Sequence, residues 1–352
     1  MKSKKETSDL DKILKQYDYS IPKELIAQEP ARQRDSAKLL IYDKKSKEVN
    51  FDNFLNLPKY LPKKSLLVFN NTKVIPARLT ITKPTGGKAR ILYTKTKNGL
   101  IEVMSDRKLD IGSKLALSPT ISFLVKNQSD KYYYLKPSFS INRLFYILDK
   151  YGITPIPPYI KHSPLSEKEL REEYQTIFAH QKGSVAAPTA SLHFTKRLFK
   201  KLERAGIRIE FITLHVGLGT FASLTEENLE KGRLHEEYYS ISKKTAGIIN
   251  DTSKKGGKII AVGTTAVRAL ESSAHDKKIK ANRLQRKTSL FIREGYKFKI
   301  IDGMITNFHV PKSSLLMLVS ALIGREALIK LYKKAISKKF RFFSFGDGMI
   351  IK

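Results

Sequence analysis

From Lys73 to Ser138 the chain is a succession of short β-rich runs: "KVIPARLTIT", "KARILYTKT", "LIEVMSD", "KLALS", "ISFLVKN" and "KYYYLKP". Turn signals such as "PTGG" (Pro84–Gly87) and "KNG" (Lys97–Gly99) separate them. Short strands at roughly ten-residue spacing predict a small antiparallel β-barrel. "INRLFYILDKYG" then predicts a helix stopped at Gly152, and "ITPIPPYI" an extended, proline-stiffened exit.

On either side of this stretch the texture changes. "SLLVFNNT" (Ser65–Thr72), "IEFITLHV" (Ile209–Val216) and "KIIAVG" (Lys258–Gly263) are continuous apolar runs, the pattern of strands buried on both faces. Helical patterns alternate with them. "TKRLFKKLERAG" places Leu198, Phe199 and Leu202 on one face and stops at Gly206; "REALIKLYKKAI" does the same with Ala327, Leu328, Leu331, Tyr332 and Ala335. The expected fold class is an α/β main domain, its sheet flanked by helices, with an inserted small antiparallel β-barrel. The boundaries read as a polar N-terminal tail over 1–16, the α/β domain over 17–72 and 152–352, and the barrel over 73–151.

Charge suggests the partner. The 352 residues carry 66 Lys and Arg against 33 Asp and Glu, a formal +33, and a field of that sign attracts polyanions such as nucleic acid. The lysines are spread along the whole chain, which also fits a solubility role for many of them. The absence of cysteine excludes disulfides, thiolate zinc sites and cysteine nucleophiles. "MKSKKETSDLDKILKQ" lacks the apolar core of a secretory signal. The longest apolar run, "SLLMLVSALI" (Ser314–Ile323), is too short to span a bilayer and predicts a buried helix. The expected location is the cytoplasm, with no membrane association.

Against this basic background four stretches are free of charge: "GSVAAPTASLHFT" (Gly183–Thr195), "FITLHVGLGTFASLT" (Phe211–Thr225), "IIAVGTTAV" (Ile259–Val267) and "GMITNFHVP" (Gly303–Pro311). Each pairs an apolar run with small or hydroxylated residues, and three of them hold a histidine: His193, His215 and His309. In open α/β sheets ligands bind beyond the carboxyl ends of the strands, where small residues let the backbone approach. A single such stretch also fits a packed core loop; four in one half of the chain point to a crevice.

Other motifs are less specific. Gly217, Gly219 and Ala222 satisfy G-x-G-x-x-A after a strand, with Glu236 near the offset of a ribose-binding acid, but "FASLT" is a poor start for a phosphate-binding helix. "RLHEEYYSI" puts His235 and Glu237 on one face of a strand, where they share a ligand or proton or simply face solvent; further clustered metal ligands are lacking. Arg268 falls in the first helical turn after "VGTT", a good position to meet a carboxylate or phosphate. "RFFSFGDGMI" sets Asp347 in a glycine turn beside aromatics that suit either adenine stacking or a core.

Taken together, "YDYSIPKELIAQEPARQRDSAKLL", "LVFNNTKVIPARL", "GITPIPPYI", "YQTIFAHQKGSVAAPTASLHFT", "ITLHVGLGTF", "VGTTAVRALES", "GYKFKIIDGMITNFHVPKSSLLMLVSALIG" and "FRFFSFGDGMII" resemble the S-adenosylmethionine:tRNA ribosyltransferase-isomerases of queuosine biosynthesis. The likeness covers nearly the whole chain after about Tyr17. Departures from the family pattern are Asn71 for Asp, Ser191 for Gly, Gly232 for His, Glu294 for Pro, and "FASL" for F-R-P-V.

The resemblance implies a fold of the kind read above. It also implies an activity: the ribosyl carbons of S-adenosylmethionine move to 7-aminomethyl-7-deazaguanine at the tRNA wobble position, adenine and methionine leave, and epoxyqueuosine forms. S-Adenosylmethionine is then a consumed substrate, no further cofactor or metal is expected, and the chain is expected to act as a monomer. The chemistry needs a base beside the sulfonium and an acid for the departing adenine, so His193, His215, His235 and His309 are the candidates, with Glu237 as an orienting carboxylate. Arg268 is assigned to the methionine carboxylate, with Gly263, Thr264 and Thr265 alongside. Thr189, Gly217, Gly219, Asn307 and Asp347 complete the expected donor site. Arg32, Arg34, Lys73 and Arg78 are expected at tRNA phosphates. An S-adenosylmethionine-dependent RNA methyltransferase and a pure RNA-binding module are the competing readings.

Overall fold

A computed structural model of the chain describes residues 8–217 and 224–352. Its centre is a nine-stranded sheet in the order Asn282–Leu290, Arg233–Ile241, Arg208–Leu214, Leu66–Asn70, Ile259–Val262, Gly303–Asn307, Gly348–Ile351, Lys38–Tyr42, Val49–Asn53. The middle four, Arg208–Leu214 through Gly303–Asn307, run parallel, so their carboxyl ends lie along one edge. Leu66–Asn70, Ile259–Val262 and Gly303–Asn307 are buried at every position, as strands covered on both faces must be. Antiparallel pairs close both flanks.

Helices cover the sheet. Thr195 caps Lys196–Arg204 through its hydroxyl, Leu198 and Leu202 are buried, and Gly206 turns the chain at φ +71°. Ser314–Ile323 buries Leu316, Met317, Leu318 and Val319, which accounts for its apolar run without a membrane. Among the described residues no helix is long and apolar enough to cross a membrane. Part of the segment read as a polar tail is helical: Ser8 caps Asp9–Gln16, whose Leu10, Ile13 and Leu14 pack against the main core.

The barrel is closed and six-stranded, in the order Tyr132–Pro137, Leu100–Ser105, Lys88–Lys97, Arg78–Thr82, Lys114–Ser118, Ile121–Ser129. Alternate residues such as Leu79, Ile81, Ile91, Val103, Phe123 and Leu135 fill it. Its first strand starts at Arg78, later than the apolar run suggested, because Thr72–Val74 pairs instead with Gln181–Ser184. At the neck Arg78 and Ile153 exchange two backbone hydrogen bonds. Beside them Gly152 packs so closely on Pro76 that a Cβ would lie 1.8 Å from its carbonyl oxygen, which only glycine allows.

Candidate active site

The strands Ile259–Val262 and Gly303–Asn307 end side by side, and a cleft opens beyond them. Gly263, at φ +87°, donates its N–H to Ile305 O at 2.8 Å and turns the chain directly into the helix Thr264–Ser273. Thr264 and Thr265 open that helix on the cleft wall. The opposite wall is the run of small residues Ala186–Ala190, where Thr189 donates to Asn307 Oδ1 at 2.8 Å. Tyr159, Phe308, Phe343 and Ser344 add an aromatic side. Phe343 holds φ +71°, a conformation that costs a bulky residue about 1–2 kcal/mol. The uncharged stretches thus fulfil one geometric purpose: three of the four meet at this cleft, and the fourth reaches it through Val216.

His309 lines the cleft. Its Nε2 lies 2.8 Å from Thr306 Oγ1, its N–H donates to the Tyr332 hydroxyl at 2.8 Å, and its carbonyl accepts from the Tyr19 hydroxyl. Burial pushes its pKa down to about 4, so at neutral pH the ring is uncharged, with a lone pair available as an acceptor.

The other three histidines lie elsewhere. His193 stacks on Phe54 at 4.1 Å, behind Asn307, with Nε2 3.4 Å from Asn307 Nδ2 and Nδ1 3.4 Å from Arg34 O. It faces a separate small pocket beside Pro30 and Phe345, and burial lowers its pKa to about 3. That is the setting of a positioning group. His215 alternates away from the cleft-lining Val216; its Nδ1 lies 3.0 Å from Thr72 Oγ1 and its ring packs against Gly183. A Cβ on Gly183 would come within 2.9 Å of that ring. His235 is exposed, and desolvation, then Lys131 of the barrel, lowers its pKa.

Glu237 and Arg268 form a buried ion pair, Glu237 Oε2 with Arg268 Nη1. Glu237 Oε1 also accepts the N–H of Gly217 at 3.0 Å, and Arg268 Nε donates to Leu290 O at 3.1 Å. The pair sits with His235 in a narrower pocket beside the cleft. Gly217 is at the margin of the described residues, and Gly219 and Ala222 lie outside them.

Asp347 departs from its expected place at the donor. Its carboxylate accepts the backbone N–H of Lys38 at 2.9 Å and of Arg341 at 2.7 Å, away from the cleft, and burial raises its pKa. It ties the closing turn to the strand Lys38–Tyr42, so the turn's aromatic neighbours can line the cleft. Two of the four expected phosphate ligands are likewise engaged internally. Arg34 donates to Glu173 Oε2, Gln175 O and Glu172 O at 2.7–3.1 Å. Arg78 is largely buried and donates to Ile156 O at 3.2 Å. Arg32 is exposed, and Lys73 is half-exposed on the ladder beside Lys182.

Sequence reasoning missed Tyr159, Thr306 and Asn70. Asn70 is fully buried; its Nδ2 donates to Leu214 O at 2.9 Å and Thr265 Oγ1 at 3.2 Å, locking two strand ends to the helix start. The adjacent pair "NNT" at the end of an apolar strand was the available signal. Among the described residues no group of three or more His, Cys, Asp or Glu is placed to hold a metal ion.

The family model described as queuosine biosynthesis protein matches residues 14–351. An S-adenosylmethionine:tRNA ribosyltransferase-isomerase of Aquifex aeolicus (strain VF5) is 44% identical over 96% of this chain and 99% of its own length. One from Thermoanaerobacter sp. (strain X514) is 46% identical over 95% of this chain and 98% of its own. Among solved structures, an S-adenosylmethionine tRNA ribosyltransferase from Thermotoga maritima is 31% identical and aligns with a TM-score of 0.54, covering 96% of this chain and 100% of that one. With this likeness running from end to end, the chain belongs to the queuosine biosynthesis family of S-adenosylmethionine:tRNA ribosyltransferase-isomerases.

Proposed function

We propose that this enzyme moves the ribosyl carbons of S-adenosylmethionine onto 7-aminomethyl-7-deazaguanine at the wobble position of tRNA, releasing adenine and methionine and leaving epoxyqueuosine. The observation that carries this reading is the uncharged cleft at the carboxyl ends of the central strands. It pairs backbone and hydroxyl donors (Gly263, Thr264, Thr265, Thr189) with a neutral histidine, His309, in a chain of formal charge +33. A zwitterionic sulfonium nucleoside suits the first, and a polyanion suits the second.

His309 is the base for a proton made acidic by the neighbouring sulfonium: it lines the cleft, its ring is neutral, and Thr306 fixes its orientation. Tyr159 and Phe343 flank the adenine. Asn307 shapes the wall and is itself held by Thr189, with His193 behind it. Arg32, Lys73 and Lys182 meet tRNA phosphates. Every residue in these roles comes from one chain, and the reading requires no second copy, no metal and no further cofactor; it places the enzyme with its tRNA in the cytoplasm.

The test supplies tRNA bearing the aminomethyl base together with S-adenosylmethionine labelled in the ribose or, separately, in the methyl group. Ribose label in the tRNA is expected. Methyl label there instead would make the protein a methyltransferase, and neither label would leave only RNA binding.

A further inference from the structure

The helix Leu144–Tyr151 follows the last barrel strand and leads into the neck. Its inner face, Leu144, Ile147 and Leu148, is buried, and Leu144 and Leu148 belong to the barrel core. Helical spacing sets Phe145 beside Asp149 and Tyr146 beside Lys150 on the outer face. Phe145 is 39% exposed, Tyr146 58%, and Ile153, just past the helix, 41%. Single exposed hydrophobic side chains need no explanation. Here three of the seven large ones exposed among the described residues fall within nine consecutive positions, and such a concentration does.

Positive charge surrounds the rings. Arg143 and Lys150 are exposed, and Lys182 Nζ lies 2.8 Å from Asp149 Oδ2, on the same helix face. That contact also fixes where the face sits. Lys182 pairs with Lys73 in the two-stranded ladder, and four residues further on Ala186 lines the cleft. With Lys73 there are four cations here against the one carboxylate of Asp149, so the surface suits a polyanion. Aromatic rings set among cations are the usual platform for single-stranded nucleic acid, whose bases stack on the rings while phosphates meet the charges. The chemistry supplies the need. A base modified in a cleft must leave its stack, and the base next to it loses a stacking partner that a protein ring can replace.

We propose that this helix face is a stacking platform for the anticodon-loop base adjoining the wobble position. Tyr146 and Phe145 present the rings, and Arg143 and Lys150 meet the flanking phosphates. The proposal rests on the reaction proposed above, which brings the wobble base into the cleft.

The experiment uses substrate tRNA carrying 2-aminopurine, whose fluorescence stacking quenches, on one side or the other of the wobble base. It compares the full-length wild type with the pair variant Phe145→Leu with Tyr146→Leu. In the wild-type complex the probe should stay quenched at one of the two positions; in the pair variant it should brighten there. Affinity for tRNA should fall about 5- to 100-fold, the range of one base–aromatic stack, with the salt slope and S-adenosylmethionine binding unchanged. Tyr146→Trp should keep both affinity and quenching. Lys150→Ala should instead lower the salt slope by about 0.7–0.9 and leave the quenching. Both rings are exposed, so the pair variant should keep the wild-type thermal midpoint; if it does not, Tyr146→Leu alone repeats the test at the more exposed ring. A probe bright at both positions in the wild-type complex, or quenching preserved in the leucine variant, overturns the platform while ribose transfer leaves the functional reading standing. So does a leucine variant that turns a wild-type dimer into a monomer with tRNA binding intact, which makes the face a contact between copies. A wild type that transfers no ribose overturns the functional reading and the platform with it.

Discussion

Thr189 holds Asn307: the threonine hydroxyl donates to Asn307 Oδ1 at 2.8 Å, joining the small-residue run to the end of a central strand. Asn307 Nδ2 in turn lies 3.3 Å from Asp347 O and 3.4 Å from His193 Nε2. One amide therefore connects three segments far apart in sequence, and the cleft's shape depends on it.

Thr189→Val keeps the side-chain shape and removes the hydroxyl, leaving Asn307 Oδ1 without its donor. An unsatisfied buried acceptor costs about 1–3 kcal/mol. Chemical denaturation should show a loss of that order, and calorimetry should show weaker binding of S-adenosylmethionine. Unchanged donor binding would take the Thr189–Asn307 pair out of the site.

The histidines should separate by position. His309→Ala should lower ribosyl transfer by roughly 10²- to 10⁴-fold, the usual range for general acid–base catalysis, with tRNA affinity unaltered. His215→Ala removes a ring that touches Thr72 and lies off the cleft, so its turnover should fall less than about tenfold, in step with thermal stability. Single-turnover rates on both variants decide the order, and the opposite order would assign the base to His215.

Acid should destabilise the protein before its carboxylates titrate. Burial lowers the folded pKa values of His193 and His309 to about 3 and about 4, from the 6.5 of a free imidazole. The unfolded chain therefore binds more protons between those limits. The stability that comes from keeping both rings neutral is complete above pH 6.5 and is lost as pH falls toward 4 and then 3. For His309 alone the loss is about 3 kcal/mol. The midpoint of thermal unfolding should fall steadily from pH 7 to 4, and His193→Phe, which keeps the stack on Phe54, should shrink that slope by about one proton.

Salt dependence should sort the basic residues. Each phosphate contact contributes about 0.7–0.9 to the slope of log affinity against log salt. Lys73→Ala, Lys182→Ala and Arg32→Ala should each reduce the slope for tRNA by about that amount. Arg34→Ala should leave the slope intact and lower stability, because its three contacts are all within the protein. Filter binding from 50 to 200 mM salt gives the slopes, and an unchanged slope in all three lysine and arginine variants would move the RNA surface elsewhere.

The parallel centre of the sheet was readable because Leu66–Phe69 and Ile259–Val262 are apolar at each position, and the barrel because its strands alternate and are separated by turns. The cleft was readable as absence of charge. What sequence reasoning missed is what distant segments supply. Asp347 looked like a ligand group because its local sequence is a glycine turn, yet its partner Lys38 is 309 residues away. Arg34 and Arg78 looked like phosphate ligands, but they reach carbonyls of residues 156–175. Long polar side chains find partners that no spacing rule encodes.

Arg78 and Ile153 exchange hydrogen bonds as the chain enters and leaves the barrel. Directly paired antiparallel residues are about 5.5 Å apart at Cα, a gap that a two-residue turn spans. The large sheet is therefore continuous in its own connectivity whether or not the six-stranded module is present. Insertion of a gene fragment at one point is enough to produce this architecture, with no strand rerouted, and splicing Arg78 to Ile153 through a short turn is its reverse.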